Sequence, residues 1–246
     1  MRPLLAAIIL SVLAWSSTSR ADDGAPPAVA QESGSWPAET HWYEPSNPLG
    51  LEVFDRDRLA WMAADSLGLR YTGPLKPNLA AQLRALLLET PQRFNHVVLE
   101  LDSDGGDLAH VEEVVRILQD ARRHMQITTR VMEGSLCASG CIPLFMQGNI
   151  RKASGASIWV FHGAQRATSG LPDVAATDRY LDLLGAAGMS PAFRAYLTAD
   201  NRIYRPGSLI LSGHELFAVH RAGIITELLP AWREQPPPAP TGLLPR

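Results

Sequence analysis

An α/β fold with a mostly parallel sheet is predicted by three features of this sequence. Strand-like and helix-like patterns alternate through the middle of the chain. His96 to Leu101 (HVVLEL) is a nearly continuous apolar run, the pattern of a strand buried on both faces. Glycine-bearing turns separate these segments at Gly73-Pro74, at Gly105-Gly106 and from Gly134 to Ser139.

The elements follow in order. Leu69 to Thr72 is a short strand ended by Gly73-Pro74. Asn78 to Glu89 is helical, with Leu79, Leu83, Leu86 and Leu87 on one face. After HVVLEL, Leu108, Val111, Val115 and Leu118 mark an amphipathic helix with Asp107 as its N-cap. Ile127 to Met132 is the next strand, Cys141 to Met146 a helix, and Ser157 to Phe161 a strand. The C-terminal third reads as helical. Val174 to Leu184 comes first, then a helix with Ser190 as N-cap and Pro191 at its first position. The Ser212-Gly213-His214-Glu215 capping box opens a last helix ending near Gly223.

A length of 246 residues suits one domain of moderate size plus tails. Hydrophobic residues make up 46% and charged residues 19%, enough for a sizeable core. The formal charge is −3 and no basic stripe could track phosphates, so nucleic acid is not an expected partner. Arg2, the apolar run Leu4 to Trp15, and the small residues Ser19 and Ala21 read as a cleavable signal peptide over 1–21. An uncleaved membrane anchor is the alternative, disfavoured because the run is short for a span. Residues 22–48 read as a flexible linker, 49–232 as the folded domain and 233–246 as a disordered Pro-rich tail. Export would place the protein in the periplasm or outside the cell. In such an oxidising compartment its two cysteines are a candidate disulfide.

Both cysteines lie in Cys137-Ala138-Ser139-Gly140-Cys141, and Trp159-Val160-Phe161-His162-Gly163 follows one strand later. Ser139 would sit at a helix entrance. Pro143 supports this, since the first N–H groups of a helix have no internal partner and proline loses nothing there. The Gly140 N–H would then point at an oxygen on a carbon attacked by Ser139, a contact whose loss typically costs about 10²–10³ in rate. His162, ending an apolar strand, is the matching base at the edge where parallel-sheet sites lie. Ser139 as a plain helix cap and His162 as an ordinary half-buried histidine fit the same pattern. Gly105-Gly106 reads either as a turn needing positive φ or as a second oxyanion donor. Asp102, Asp104, Asp107 and Glu113 approach a calcium-loop spacing, but Gly106 stands at the fifth position and the sixth is not glycine. The other histidines form no ligand cluster by spacing, so neither a metal nor a cofactor is expected.

Cysteines four apart on a regular helix hold their Cβ atoms about 5–6 Å apart, whereas a disulfide wants about 3.8 Å. A Cys137–Cys141 disulfide is therefore expected with Cys137 outside the helix, fixing the turn around Ser139.

These motifs in this order resemble the Clp-type serine peptidases of the crotonase-like superfamily. The resemblance runs from about Leu69 to Leu229. It is carried by Leu101-Asp102-Ser103-Asp104-Gly105-Gly106, Leu136-Cys137-Ala138-Ser139-Gly140, Gly148 with Arg151, and Trp159-Val160-Phe161-His162. The cysteine pair and the leader look closest to an exported branch of that superfamily. The resemblance implies a ClpP/crotonase-like repeated β-β-α superhelix with C-terminal helices. It implies Ser139 as nucleophile, His162 as general base, and the N–H groups of Gly106 and Gly140 as the oxyanion hole. The family's third triad member, an aspartate, falls on Asp200 or Asn201 aligned forward from the preceding helix, and on Ser208 aligned back from the following cap; Asp200 is the choice. Asp104 replaces the family's proline before the glycine pair.

The function expected is an exported serine hydrolase, a peptidase acting on peptides or proteins through an acyl-enzyme. A non-catalytic scaffold of the same fold, binding a peptide or protein partner, is the alternative. Relatives assemble into rings or smaller multimers, so a homo-oligomer is in view; an ATPase partner is not, since the periplasm lacks ATP.

Overall fold

A computed structural model describes residues 50–54, 66–89, 94–166 and 169–230. The segments expected to be a signal peptide, a linker and a Pro-rich tail lie outside the described residues. The chain runs β1 (Gly50–Phe54), β2 (Ser66–Thr72), α1 (Asn78–Arg84), β3 (His96–Asp102), α2 (Leu108–Ala121), β4 (Gln126–Val131) and β5 (Leu136–Ala138). It continues with α3 (Cys141–Phe145), β6 (Ile150–Ala153), β7 (Ile158–Phe161), α4 (Val174–Ala186), α5 (Pro191–Thr198), β8 (Leu209–Ser212) and β9 (Glu227–Leu228). The fold is mixed α/β.

Two sheets share the strands. The larger has the order β1-β2-β3-β4-β6-β9, with β1 antiparallel and the rest parallel. The smaller has the order β5-β7-β8, parallel and then antiparallel. The chain alternates between them: β4 enters the large sheet, β5 the small one, and α3 follows; β6, β7 and α4 repeat the pattern. Ser103, directly after β3, bridges Cys137 of β5, so the end of β3 abuts the small sheet. Asp102 Oδ1 strengthens that junction by accepting from the Leu136 N–H at 2.9 Å.

The two faces of the large sheet differ. Leu69, Tyr71, Val97, Leu99, Leu101, Ile127 and Val131 are buried in the main core, together with Val111, Val114, Val115, Ile117, Leu118 and Ala121 of α2. Full burial of such a side chain is worth about 1.5–3 kcal/mol. Residues of opposite parity carry a charged row, one residue per strand in continuous register: Glu52, Arg70, Glu100, Arg130, Lys152 and Glu227. Glu100 is 4% exposed and takes Arg70 Nη2 at 2.7 Å and Arg130 Nη1 at 3.1 Å. Lys152 Nζ meets Glu227 Oε2 at 2.9 Å. Burial pushes the Arg130 guanidinium below its ordinary pKa, and the Glu100 carboxylate opposes that shift.

Several expectations need correction. The helix expected through Glu89 loosens into a wider turn over Ala85–Glu89. The turn expected before Ser139 contains β5, a three-residue strand too short to show a period. The C-terminal third is not all helical, since it supplies β8 and β9. The Ser212–Glu215 capping box forms: Glu215 Oε2 accepts from the Ser212 N–H at 2.7 Å, and Ser212 Oγ accepts from the Glu215 N–H at 3.2 Å. It opens only a wide turn over Glu215–Val219, because left-handed Arg221 and Gly223 then reverse the chain. Asp107 and Ser190 cap α2 and α5 as expected.

Candidate active site

β5 delivers the chain to Ser139, whose N–H donates to the Val160 carbonyl of β7 at 2.9 Å. The Ser139 carbonyl then accepts from the Ile142 N–H at 3.0 Å, turning the chain into α3. Gly140 is the N-cap, which places Pro143 in the first turn. Ser139 itself has φ +49°. A residue with a Cβ pays about 1–2 kcal/mol for this left-handed conformation, and such outliers cluster at active sites and ligand clamps.

The Cys137–Cys141 disulfide straddles that residue. Its Cα atoms are 5.3 Å apart, Cys137 lies on β5, Cys141 opens α3, and both are wholly buried. The cross-link therefore ties the two arms of the Ser139 turn together. An intramolecular disulfide fits a protein of an oxidising compartment.

The glycine pair after β3 packs against the same turn. Gly105 has φ +94°, and a Cβ there would lie 2.8 Å from Ser139 Cβ and 2.7 Å from the Ala138 carbonyl oxygen. A Cβ on Gly106 would meet Leu75 at 2.8 Å. A Cβ on Gly140 would meet Val111 Cγ2 at 2.5 Å and lie 3.3 Å from the Gly106 nitrogen. The Gly106 and Gly140 backbones are thus close neighbours, with no room for side chains. Neither N–H has a hydrogen-bond partner among the described residues. An unpartnered buried amide is rare in proteins, and Gly140 is buried.

His162 follows β7 directly and is half-buried. Its Nδ1 lies 3.0 Å from the Gly163 carbonyl oxygen. A carbonyl can only accept, so Nδ1 is the donor in this contact, and in the neutral ring Nε2 is then the acceptor. Two features hold the loop beyond: the Ala164 N–H donates to Thr177 Oγ1 at 2.9 Å, and a Cβ on Gly163 would collide with the Ile203 carbonyl. The Ser139–Val160 bond brings the strand that ends at His162 beside the serine turn. No hydrogen bond joins the Ser139 and His162 side chains.

Asp200 stands apart from the imidazole. It is exposed, it and Asn201 are consecutively left-handed at φ 53° and 57°, and no hydrogen bond links either to His162. Asp200 and Ser208 instead line a cavity of about 390 Å³ that also touches Phe161, the residue before His162. The structure thus brings Ser139, Gly106, Gly140, Cys137 and Cys141 together, sets His162 on the adjoining strand, and leaves Asp200 at the neighbouring cavity. Sequence reasoning missed Gly163; a glycine directly after the strand-ending histidine was its only signal. No group of three His, Cys, Asp or Glu side chains suited to a metal occurs among the described residues. No helix among them is long and apolar enough to cross a membrane.

No family model and no curated protein sequence matches this chain. Among solved structures it is similar to a ClpP1 point mutant from Listeria monocytogenes. The two are 15% identical with a TM-score of 0.52, over 66% of this chain and 90% of that one. That likeness is one of fold.

Proposed function

We propose that this protein is an exported serine hydrolase, a peptidase that works through an acyl-enzyme on Ser139, on a ClpP/crotonase-like β-β-α superhelix. The Ser139 Oγ attacks the scissile carbonyl, and His162 Nε2 takes its proton and returns it to the leaving amine. The Gly106 and Gly140 N–H groups receive the oxyanion. The observation that carries this reading is the left-handed Ser139 beside two unpartnered N–H groups. The Gly163 carbonyl orients the imidazole, and Asp200 is the candidate for the third triad member. The leader and the disulfide support export, and the ClpP-like fold is compatible with peptide substrates and with self-association.

The missing Ser139–His162 hydrogen bond favours a second reading, a peptide-binding scaffold of the same fold. Incubation of the purified protein with a mixture of unstructured peptides, followed by mass spectrometry, separates the two. New cleavage products with wild type but not with Ser139→Ala or His162→Ala are the expected result. Intact peptides throughout would leave the scaffold.

A further inference from the structure

The cavity lined by Phe161 and the 200–209 segment has a chemistry that the hydrolase reading leaves unused. Its floor is apolar: Phe161, Leu197 and Ile203 are all buried. Its rim carries Arg202 and Arg205 against one acid, Asp200. None of the three is in an ion pair among the described residues, so the rim keeps an excess of one positive charge.

Arg202 is held in place. Its Nη1 donates to the Tyr196 carbonyl at 2.8 Å, and its guanidinium lies 4.3 Å over the Tyr196 ring. Tyr196 itself packs against Phe193 and His220, which also touch each other. The remaining guanidinium edge keeps donors in a fixed fork, the geometry that suits a carboxylate. Asp200, which lines the cavity, is left-handed together with Asn201, and strain of that kind is found at ligand clamps. A volume of about 390 Å³ lies at the small end of ligand sites. An apolar floor with one net positive charge at the rim matches an aliphatic stem ending in a single negative charge.

The geometry points to this cavity as a subsite for a carboxylate-bearing residue of a peptide, which Arg202 and Arg205 recognise and which Phe161, next in the chain to His162, borders. The carboxylate comes from an acidic side chain or from the peptide's own C-terminus. This assignment rests on the hydrolase reading for the peptide as ligand, but the binding it predicts does not need turnover.

The test is fluorescence anisotropy with three labelled tetrapeptides on the full chain carrying Ser139→Ala. One has a terminal Glu with an amidated end, one Gln with an amidated end, and one Gln with a free carboxylate. At least one carboxylate peptide binds about five-fold or more tighter than the neutral amide, the factor that about 1 kcal/mol supplies. Whichever does so identifies the source. Arg205→Gln, a surface change that removes no described hydrogen bond, erases most of that preference, while Asp200→Asn increases it. Equal binding of all three peptides, no binding of either carboxylate peptide, or a preference unchanged in Arg205→Gln overturns the assignment. A preference for carboxylate in a protein whose wild type cleaves nothing supports the subsite and sinks the hydrolase reading alone.

Discussion

Glu100 in the large sheet and Ser139 in the small one are both polar residues set into a β framework, and their surroundings are opposite. Glu100 is buried with both carboxylate oxygens engaged by arginines from the flanking strands. Its backbone is ordinary strand, and the charged row around it runs in register from β1 to β9. Ser139 is half-buried, left-handed, cross-linked on both sides, and close to two amides with no hydrogen-bond partner among the described residues. Where polar groups satisfy one another they specify register and stability. Where strain and open donors persist, the fold has spent stability on something other than itself.

The contrast can be broken most forcefully at Glu100. Glu100→Ala removes the acid that two arginines share at a buried position and should cost about 3–5 kcal/mol in denaturant unfolding. The folded fraction should still react at Ser139. A loss below about 1 kcal/mol would show that the row behaves as a solvated surface and would erase the comparison. Gly105→Ala comes next. The added Cβ collides with the Ser139 turn at a positive φ, so stability should fall by roughly 2 kcal/mol, within the range for overpacking, and activity should fall with it. Activity retained at full rate would mean that Gly105 does not shape the turn.

Ser139→Gly sharpens the contrast with a change of sign. It relieves about 1–2 kcal/mol of left-handed strain and costs about 0.4–1 kcal/mol of unfolded-chain entropy. The variant should therefore melt slightly higher than wild type while losing all activity. A lower melting temperature would indicate that the conformation is not strained in this setting.

The smallest effect is at the exposed capping box. The Ser212 N–H, and then the Ser212 hydroxyl, hold the Glu215 carboxyl below its ordinary 4.5. A depressed acid stabilises the fold above its unfolded pKa, and that contribution disappears as pH falls through the lowered value. The melting-temperature gap between wild type and Glu215→Gln should be constant above about pH 6 and close below pH 4.5. A gap that widens in acid would refute the capping role.

The sequence made the long elements legible because periodicity needs length. HVVLEL and the α2 stripe are both seven residues or longer as β3 and α2. β5, β6 and β9 hold three, four and two residues, below what any period can show. The charged row was invisible for another reason: each member is an unremarkable charge within its own strand, and only register aligns them. At the site, the cysteine spacing, the glycine pair and Pro143 were readable because each has a geometric requirement. The left-handed serine was not, since local preference would place glycine there. The partner of His162 is a backbone carbonyl, which leaves no residue signature, and the cavity joins Phe161 to a segment some forty residues on.

The proposed chemistry depends above all on the Ser139 hydroxyl being an activated nucleophile. A fluorophosphonate probe followed by peptide mapping tests it most directly. The expected result is a single adduct on the peptide containing Ser139, absent in Ser139→Ala and strongly slowed in His162→Ala. An unlabelled wild-type protein, or an adduct on another residue that persists in Ser139→Ala, would contradict it.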